Sequence, residues 1–243
     1  LYYLIFSSVV NIVLDLVFIG VFHFGVASAA AATAISQFVS AAFCLYRLTR
    51  KSPEEYRVSL RCIQLNPFML RQIITNGLPA GIQNSVISIA NVFIQSNINS
   101  FGKIAMAGCG AYSKVEGFAA LPVTCFSMAL TTFISQNLGA GKYDRVRKGA
   151  RFGVLCGMTL TELIGLVLYV TMPVLISFFN NDPEVIAYGT KQAHIVTPFY
   201  FLMAYSHCTA GIMRGAGKSS VPMFVMLLCW CLLRVPYVSH IHK

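Results

Sequence analysis

Charged side chains are scarce in this sequence. They make up 11% of its 243 residues, and only 8 residues are Asp or Glu. Soluble domains carry about 25% charged residues, so a composition that is 56% hydrophobic excludes an ordinary soluble domain. From residue 72 to residue 102 no side chain is charged, and this run is longer than the roughly 20 residues that cross a bilayer as a helix. The sequence therefore predicts an all-α, polytopic membrane protein.

Residues that often build catalytic or metal centres are present, but their spacing does not suit that chemistry. The 8 cysteines form no C-x-x-C pair and the 5 histidines are scattered, so we expect buried, reduced thiols and no metal site. Two glycine strings, 139–142 and 215–219, lack the glycine spacing of a phosphate-binding loop. Because no catalytic constellation is present, we expect a protein that is not an enzyme and has no cofactor.

Apolar runs divide the chain into about seven membrane-spanning segments. The predicted spans are 1–22, 26–46, 72–101, 105–138, 150–179, 185–213 and 219–239. The chain starts without Met, inside apolar sequence, and it ends shortly after the last span. We therefore expect it to be a fragment of a longer protein.

Positive charge follows every second predicted span. Most of the 18 Lys and Arg residues lie in three loops, 47–71, 139–151 and 214–218, whereas the loops between them carry one Lys and no Arg. By the positive-inside rule these three loops are cytoplasmic, which predicts a multi-pass protein of the plasma (inner) membrane in contact with membrane lipids. The loops lack the stacking aromatics of a nucleic-acid site, and they imply no protein partner.

The longest connection, 47–71, has the composition of a linker. It combines many charges with Pro53 and the pair Asn66 and Pro67, residues that favour extended or turn structure. We interpret 47–71 as a cytoplasmic linker between two helical parts, 1–46 and 72–243.

Polar side chains recur on one face of the third predicted span. Asn84, Ser88, Asn91 and Gln95, here called the polar stripe, follow one another at steps that place them within an arc of roughly 60° on a helix. An unpaired amide facing lipid costs several kcal/mol. We therefore expect the polar stripe to line a protein interior or an aqueous cavity and to bind substrate.

Three acidic residues, Asp15, Glu116 and Glu162, lie inside predicted spans. A carboxylate in the hydrocarbon costs about 3 kcal/mol or more, so each is a candidate to bind a coupling cation or to carry a proton. A structural explanation is also open. Glu116 could pair with Lys114 or Lys103, and Asp15 could bond to Asn11 or to neighbouring backbone.

Several short motifs follow one another along the chain. They are N-I-V-L-D at 11–15, G-V-A at 25–27, A-T-A-I-S-Q at 32–37, G-L-P-A-G at 77–81, S-Q-N-L-G-A-G at 135–141, and M-R-G-A-G-K-S at 213–219 with Pro222 after it. In this order they resemble helices five to eleven of bacterial multidrug and toxic compound extrusion (MATE) transporters.

The resemblance implies a twelve-helix molecule with two lobes of six helices. This chain would hold the last two helices of the first lobe, 1–46, and a second lobe, 72–243, that lacks its last helix. The family exports cationic amphipathic drugs and toxic compounds by alternating access, as an antiporter driven by Na⁺ or H⁺. The polar stripe would line the second-lobe cavity.

The chain departs from the family pattern at two helices. Sodium-coupled members often carry an acid in the seventh helix and an acidic partner in the tenth, whereas 72–102 and 192–213 contain none. The choice between Na⁺ and H⁺ therefore stays open.

Two other functions stay open at this point. A flippase for lipid-linked oligosaccharides belongs to the same superfamily, but its diphosphate substrate would favour basic residues in the cavity, and the polar faces of the second and third spans carry none. The number of spans alone also allows a seven-helix membrane receptor.

Overall fold

The computed structural model describes residues 2–21, 26–51, 57–58, 64 and 66–229. Every regular element in these ranges is helical. The predicted linker lies largely outside the described residues, as does the end of the predicted seventh span beyond residue 229.

In the described residues eight α-helices follow one another. They are α1 Tyr2–Asp15, α2 Val26–Tyr46, α3 Pro67–Ser100, α4 Lys103–Gly139, α5 Tyr143–Ser177, α6 Pro183–Val196, α7 Tyr200–Gly215 and α8 Ser220–Leu227. The π-helical segments Leu16–Val21 and Arg47–Lys51 continue α1 and α2, and a 3₁₀ turn, Thr197–Phe199, joins α6 to α7.

The prediction of an all-α, polytopic membrane protein is confirmed. In the part of the chain that the structure describes, five helical stretches are long and apolar enough to cross a bilayer: 2–21, 28–50, 67–100, 103–139 and 143–177. The predicted sixth span corresponds to α6 and α7 together, because Pro198 in the 3₁₀ turn interrupts the helix.

The fifth helix begins earlier than its hydropathy suggests. Its predicted start was residue 150, but α5 begins at Tyr143, so the basic residues of this loop lie on its first turns. Arg and Lys are good helix formers and keep their charged ends in water while their stems lie along apolar surface. The connection from α4 is consequently a short turn in which Gly141 adopts a φ of 70°, a conformation that favours glycine.

The described helices form two compact units, 1–66 and 67–243. In the first unit α1 and α2 lie antiparallel. The Ser7 hydroxyl donates to the Ser36 carbonyl oxygen at 2.6 Å, and the rings of Tyr3 and Phe43 stack with their centroids 5.8 Å apart. Hydroxyl-to-carbonyl bonds of this kind hold apolar helices together where lipid offers no hydrogen-bond partner.

In the second unit α4 is the central helix. It packs against α5, α6 and α7, while α3 packs mainly against α8. Tyr112 and Val115 of α4 share a buried cluster with Met172 and Ile176 of α5 and Ala193 of α6. The long α4 therefore shares one packed core with α5 and α6.

Glycine allows α7 to approach α4 closely. A Cβ added at Gly211 would lie 2.5 Å from the Ser127 carbonyl oxygen, and one added at Gly215 would lie 2.6 Å from the Thr131 carbonyl oxygen. The pair has the G-x-x-x-G spacing that brings the backbones of membrane helices together. The two glycines thus allow the α4 and α7 backbones to come into contact.

We predict that Gly211→Ala destabilises the protein by about 1 to 3 kcal/mol, because the new methyl group must push α7 away from the Ser127 carbonyl. The measurement is the apparent melting temperature of the detergent-solubilised protein, followed by size-exclusion chromatography. Gly117→Ala in α4 is the matched control, since a Cβ there meets nothing within 4 Å. Equal melting temperatures for the two variants would contradict the packing described here.

Candidate functional site

A polar cavity of about 470 Å³ lies between α3, α4, α7 and α8 in the second unit. Its lining combines amides, hydroxyls, an imidazole and a guanidinium with a smaller number of apolar side chains. The polar residues are Gln83, Asn84, Thr124, Ser127, Thr131, Thr132, His207 and Arg214. A cavity of this size and polarity between apolar helices is suited to holding a small organic molecule.

Hydrogen bonds between α4 and α7 fix one wall of this cavity. The Ser127 hydroxyl donates to the His207 carbonyl oxygen at 2.7 Å and accepts from Nη2 of Arg214 at 2.9 Å. The Thr131 hydroxyl lies 3.0 Å from the Gly211 carbonyl oxygen and 2.8 Å from that of Ser127. The close approach at Gly211 brings these hydroxyls within reach of the α7 backbone.

The polar stripe is only partly associated with the cavity. Asn84 lines it, whereas Ser88, Asn91 and Gln95 lie on exposed surface of α3. The Gln95 amide donates to Oδ1 of Asn99 at 3.0 Å, along the same helix. Binding of substrate by these four residues stays a prediction.

Gln83 was missed by the sequence analysis, although it lines the cavity. Its side chain is only 4% exposed, and its Oε1 has no hydrogen-bond partner among the described residues. It precedes Asn84 by one position, so a pattern read along one helix face does not include it. A single uncharged amide beside that face gave no separate signal.

Glu116 lies beside two tyrosines of the bundle. The Tyr112 hydroxyl donates to Oε1 of Glu116 at 3.1 Å and lies 3.2 Å from the Tyr200 hydroxyl. Lys114, one of the partners considered from sequence, instead lies 5.3 Å from the centroid of the Phe179 ring. The arrangement connects a membrane carboxylate to α7 through a short chain of hydroxyl groups.

Glu162 lies at the break between α6 and α7. Its Oε2 accepts a hydrogen bond from the backbone N–H of Phe201 at 3.0 Å. Phe201 is in the first turn of α7, where backbone N–H groups have no partner within the helix. Glu162 thus caps α7 from a neighbouring helix. The positive end of the α7 dipole also stabilises the negative charge of this carboxylate.

Asp15 lies at the end of α1 in the other unit. Its Oδ1 is buried without a hydrogen-bond partner among the described residues. The Asn11 amide, considered as its partner from sequence, is 3.5 Å from the Thr33 hydroxyl. In the part of the chain that the structure describes, no group of three His, Cys, Asp or Glu residues could hold a metal ion.

Comparison with known proteins agrees with this architecture. A family model described as MatE matches residues 79–238. The chain is 28% identical to the probable multidrug resistance protein YpnP of Bacillus subtilis, over 98% of this chain and 53% of that protein. It is 27% identical to the probable multidrug resistance protein NorM of Thermotoga maritima, over 95% and 50%. The chain spans about half the length of the curated relatives it matches.

A solved structure extends the comparison to the fold. A MOP superfamily transporter from Pyrococcus furiosus matches with a TM-score of 0.90 and 20% identity, over 99% of this chain and 54% of that chain. At this identity the likeness establishes the helical arrangement only. The resemblance to half of a MATE transporter, inferred from the motifs, is confirmed.

We predict that Glu162→Leu lowers the stability by about 1 kcal/mol, the usual cost of losing a helix cap, whereas Glu162→Gln keeps an acceptor for Phe201 and stays near the wild type. The apparent melting temperature in detergent measures both. Glu184→Leu, on exposed surface at the start of α6, controls for removing an acid near a helix end. A Glu162→Leu variant as stable as the wild type would remove the capping role.

Proposed function

Because the chain belongs to the MatE family, we propose that the protein of which it forms part is an antiporter that exports small amphipathic organic cations in exchange for Na⁺ or H⁺. The observation that carries this proposal is the match of residues 79–238 to the MatE family model, and a polar cavity of about 470 Å³ between membrane helices supports it. Polar groups are costly in hydrocarbon, so a lining of amides and hydroxyls favours a path for solutes over simple helix packing. The polar stripe extends this surface along α3.

The proposed mechanism is alternating access. Two helical lobes would rock against each other around a site near the middle of the membrane, as in other secondary transporters. The coupling cation would stabilise one arrangement and the organic substrate the other, so each shifts the equilibrium by its difference in affinity. In this scheme 1–46 belongs to the first lobe and 72–243 to the second.

The location and class of the protein follow the same proposal. The basic loops 47–71, 139–151 and 214–218 would face the cytoplasm, in the plasma membrane. The two relatives from Bacillus subtilis and Thermotoga maritima are named as probable multidrug resistance proteins, which are transporters and not enzymes. Their names favour drug export over an oligosaccharide flippase or a receptor.

Among the three acids, Glu116 is our first choice for the coupling group in the second lobe. Glu162 is already engaged at the start of α7, whereas Glu116 is linked through Tyr112 and Tyr200 to the helix that also lines the cavity. Binding of H⁺ or Na⁺ at Glu116 would change the hydrogen bond from Tyr112. Asp15 would be the corresponding group in the first lobe.

We predict that the full-length gene, expressed in a host without its own drug pumps, produces ethidium efflux that depends on a Na⁺ or an H⁺ gradient. Fluorescence of preloaded cells measures efflux with each gradient imposed and then dissipated, and cells with the empty vector are the control. Absence of efflux for every organic cation tried, under either gradient, would contradict the drug-export proposal.

We predict that Glu116→Gln lowers gradient-driven efflux at least tenfold without loss of the folded protein, because Gln still accepts from Tyr112 but cannot take up a proton or carry charge. The same efflux assay and a size-exclusion profile measure the two effects. Glu184→Gln, an exposed acid on α6, should transport like the wild type. Normal efflux with unchanged ion dependence in Glu116→Gln would exclude this residue as the coupling group.

A further inference from the structure

The charge of the polar cavity is opposite to that expected for holding a cation. Among the residues that line it, Arg214 carries a positive charge, while none is Asp or Glu. A cation entering this cavity would meet the guanidinium without a carboxylate to compensate it. The cavity is therefore better suited to a negatively charged group.

Arg214 has hydrogen-bonding capacity beyond its contact with α4. A guanidinium has five N–H donors in a planar fork that suits carboxylates and phosphates. Among the described residues, Nη2 of Arg214 donates one hydrogen bond to the Ser127 hydroxyl. That hydroxyl in turn donates to the His207 carbonyl oxygen. Ser127 thus fixes the direction of the half-buried guanidinium.

Gln83 indicates a second requirement of the ligand. Its side chain is 96% buried, it lines the same cavity from α3, and its Oε1 has no partner in the part of the chain that is described. A buried, unsatisfied carbonyl is unfavourable, so a ligand that brings an O–H or N–H donor would improve this site. The amide nitrogens of Gln83 and Asn84 are additional donors for an anion.

We infer that the polar cavity is a binding site for an oxyanion, a carboxylate or phosphate, carried by a molecule that also has a hydroxyl or amine donor. Arg214 pairs with the oxyanion, and Gln83 accepts from the neighbouring donor. This chemistry has two sources: a soluble organic acid, or the headgroup of an anionic phospholipid such as phosphatidylglycerol. This is the cavity that supports the export proposal, so an exported organic cation would bind outside it, and the inference does not depend on the coupling ion.

Two xanthene dyes of similar size and opposite charge test the inference. Full-length protein in nanodiscs of phosphatidylcholine is titrated into fluorescein or rhodamine 6G, and fluorescence anisotropy gives the affinity. We expect Arg214→Gln to weaken fluorescein binding at least tenfold and to leave rhodamine 6G binding unchanged or stronger. Arg151→Gln, an exposed arginine on α5, is the control and should bind both dyes like the wild type.

Two further variants keep the test valid if Arg214→Gln does not fold. Arg214→Lys retains the charge without the planar fork, and Gln83→Met replaces the unsatisfied amide with a side chain of similar size. Both should weaken fluorescein binding about threefold or more. Fluorescein affinities within twofold of the wild type in all variants that fold would overturn the inference.

Nanodiscs that contain phosphatidylglycerol distinguish the two possible sources of the oxyanion. If phosphatidylglycerol in the nanodisc displaces fluorescein from the wild type, the phospholipid headgroup occupies the site; if it does not, the ligand is a soluble organic acid. Either result presupposes binding that depends on Arg214. The assay uses no ion gradient, so its failure is distinguishable from failure of the ethidium efflux experiment.

Discussion

The close contact between α4 and α7 is the constraint on which the second unit depends. Gly211 and Gly215 bring the α7 backbone against the carbonyl groups of Ser127 and Thr131. At this distance the two hydroxyls reach carbonyl oxygens of α7, and Ser127 also holds Arg214. Side chains at positions 211 and 215 would separate the α4 and α7 backbones and break the contact between Ser127 and Arg214. The two glycines therefore set the shape of the cavity and the position of its positive charge.

Three ionisable groups of this bundle, Glu116, Glu162 and Arg214, have different kinds of partner. Glu116 bonds to a tyrosine hydroxyl, Glu162 to the backbone at the start of a helix, and Arg214 to a serine hydroxyl. None of these contacts joins opposite charges directly. Glu116 and Arg214 thus lie at separate places in one bundle, so the candidate cation site and the candidate anion site do not share a side chain.

Most of the helical architecture could be predicted from the sequence, because hydropathy and the position of basic residues report directly on a bilayer. The start of α5 was the main exception, since charged helix formers do not look apolar. The candidate site was harder to predict. Glu162 meets Phe201 and Tyr112 meets Tyr200 across long separations along the chain, and helical periodicity describes only one helix at a time. Gln83 was missed because it lies beside the helix face that carries the polar stripe.

The break at Pro198 has a consequence for how the chain enters the membrane. At 1.5 Å per residue, α6 with 14 residues and α7 with 16 are each shorter than a hydrocarbon core of about 30 Å, so neither crosses alone. The Phe201 N–H group at their junction needs a partner outside the helix, and Glu162 supplies it. Glu162 precedes Phe201 in the order of synthesis. The Glu162 carboxylate, which caps α7, thus enters the bilayer before α7 does.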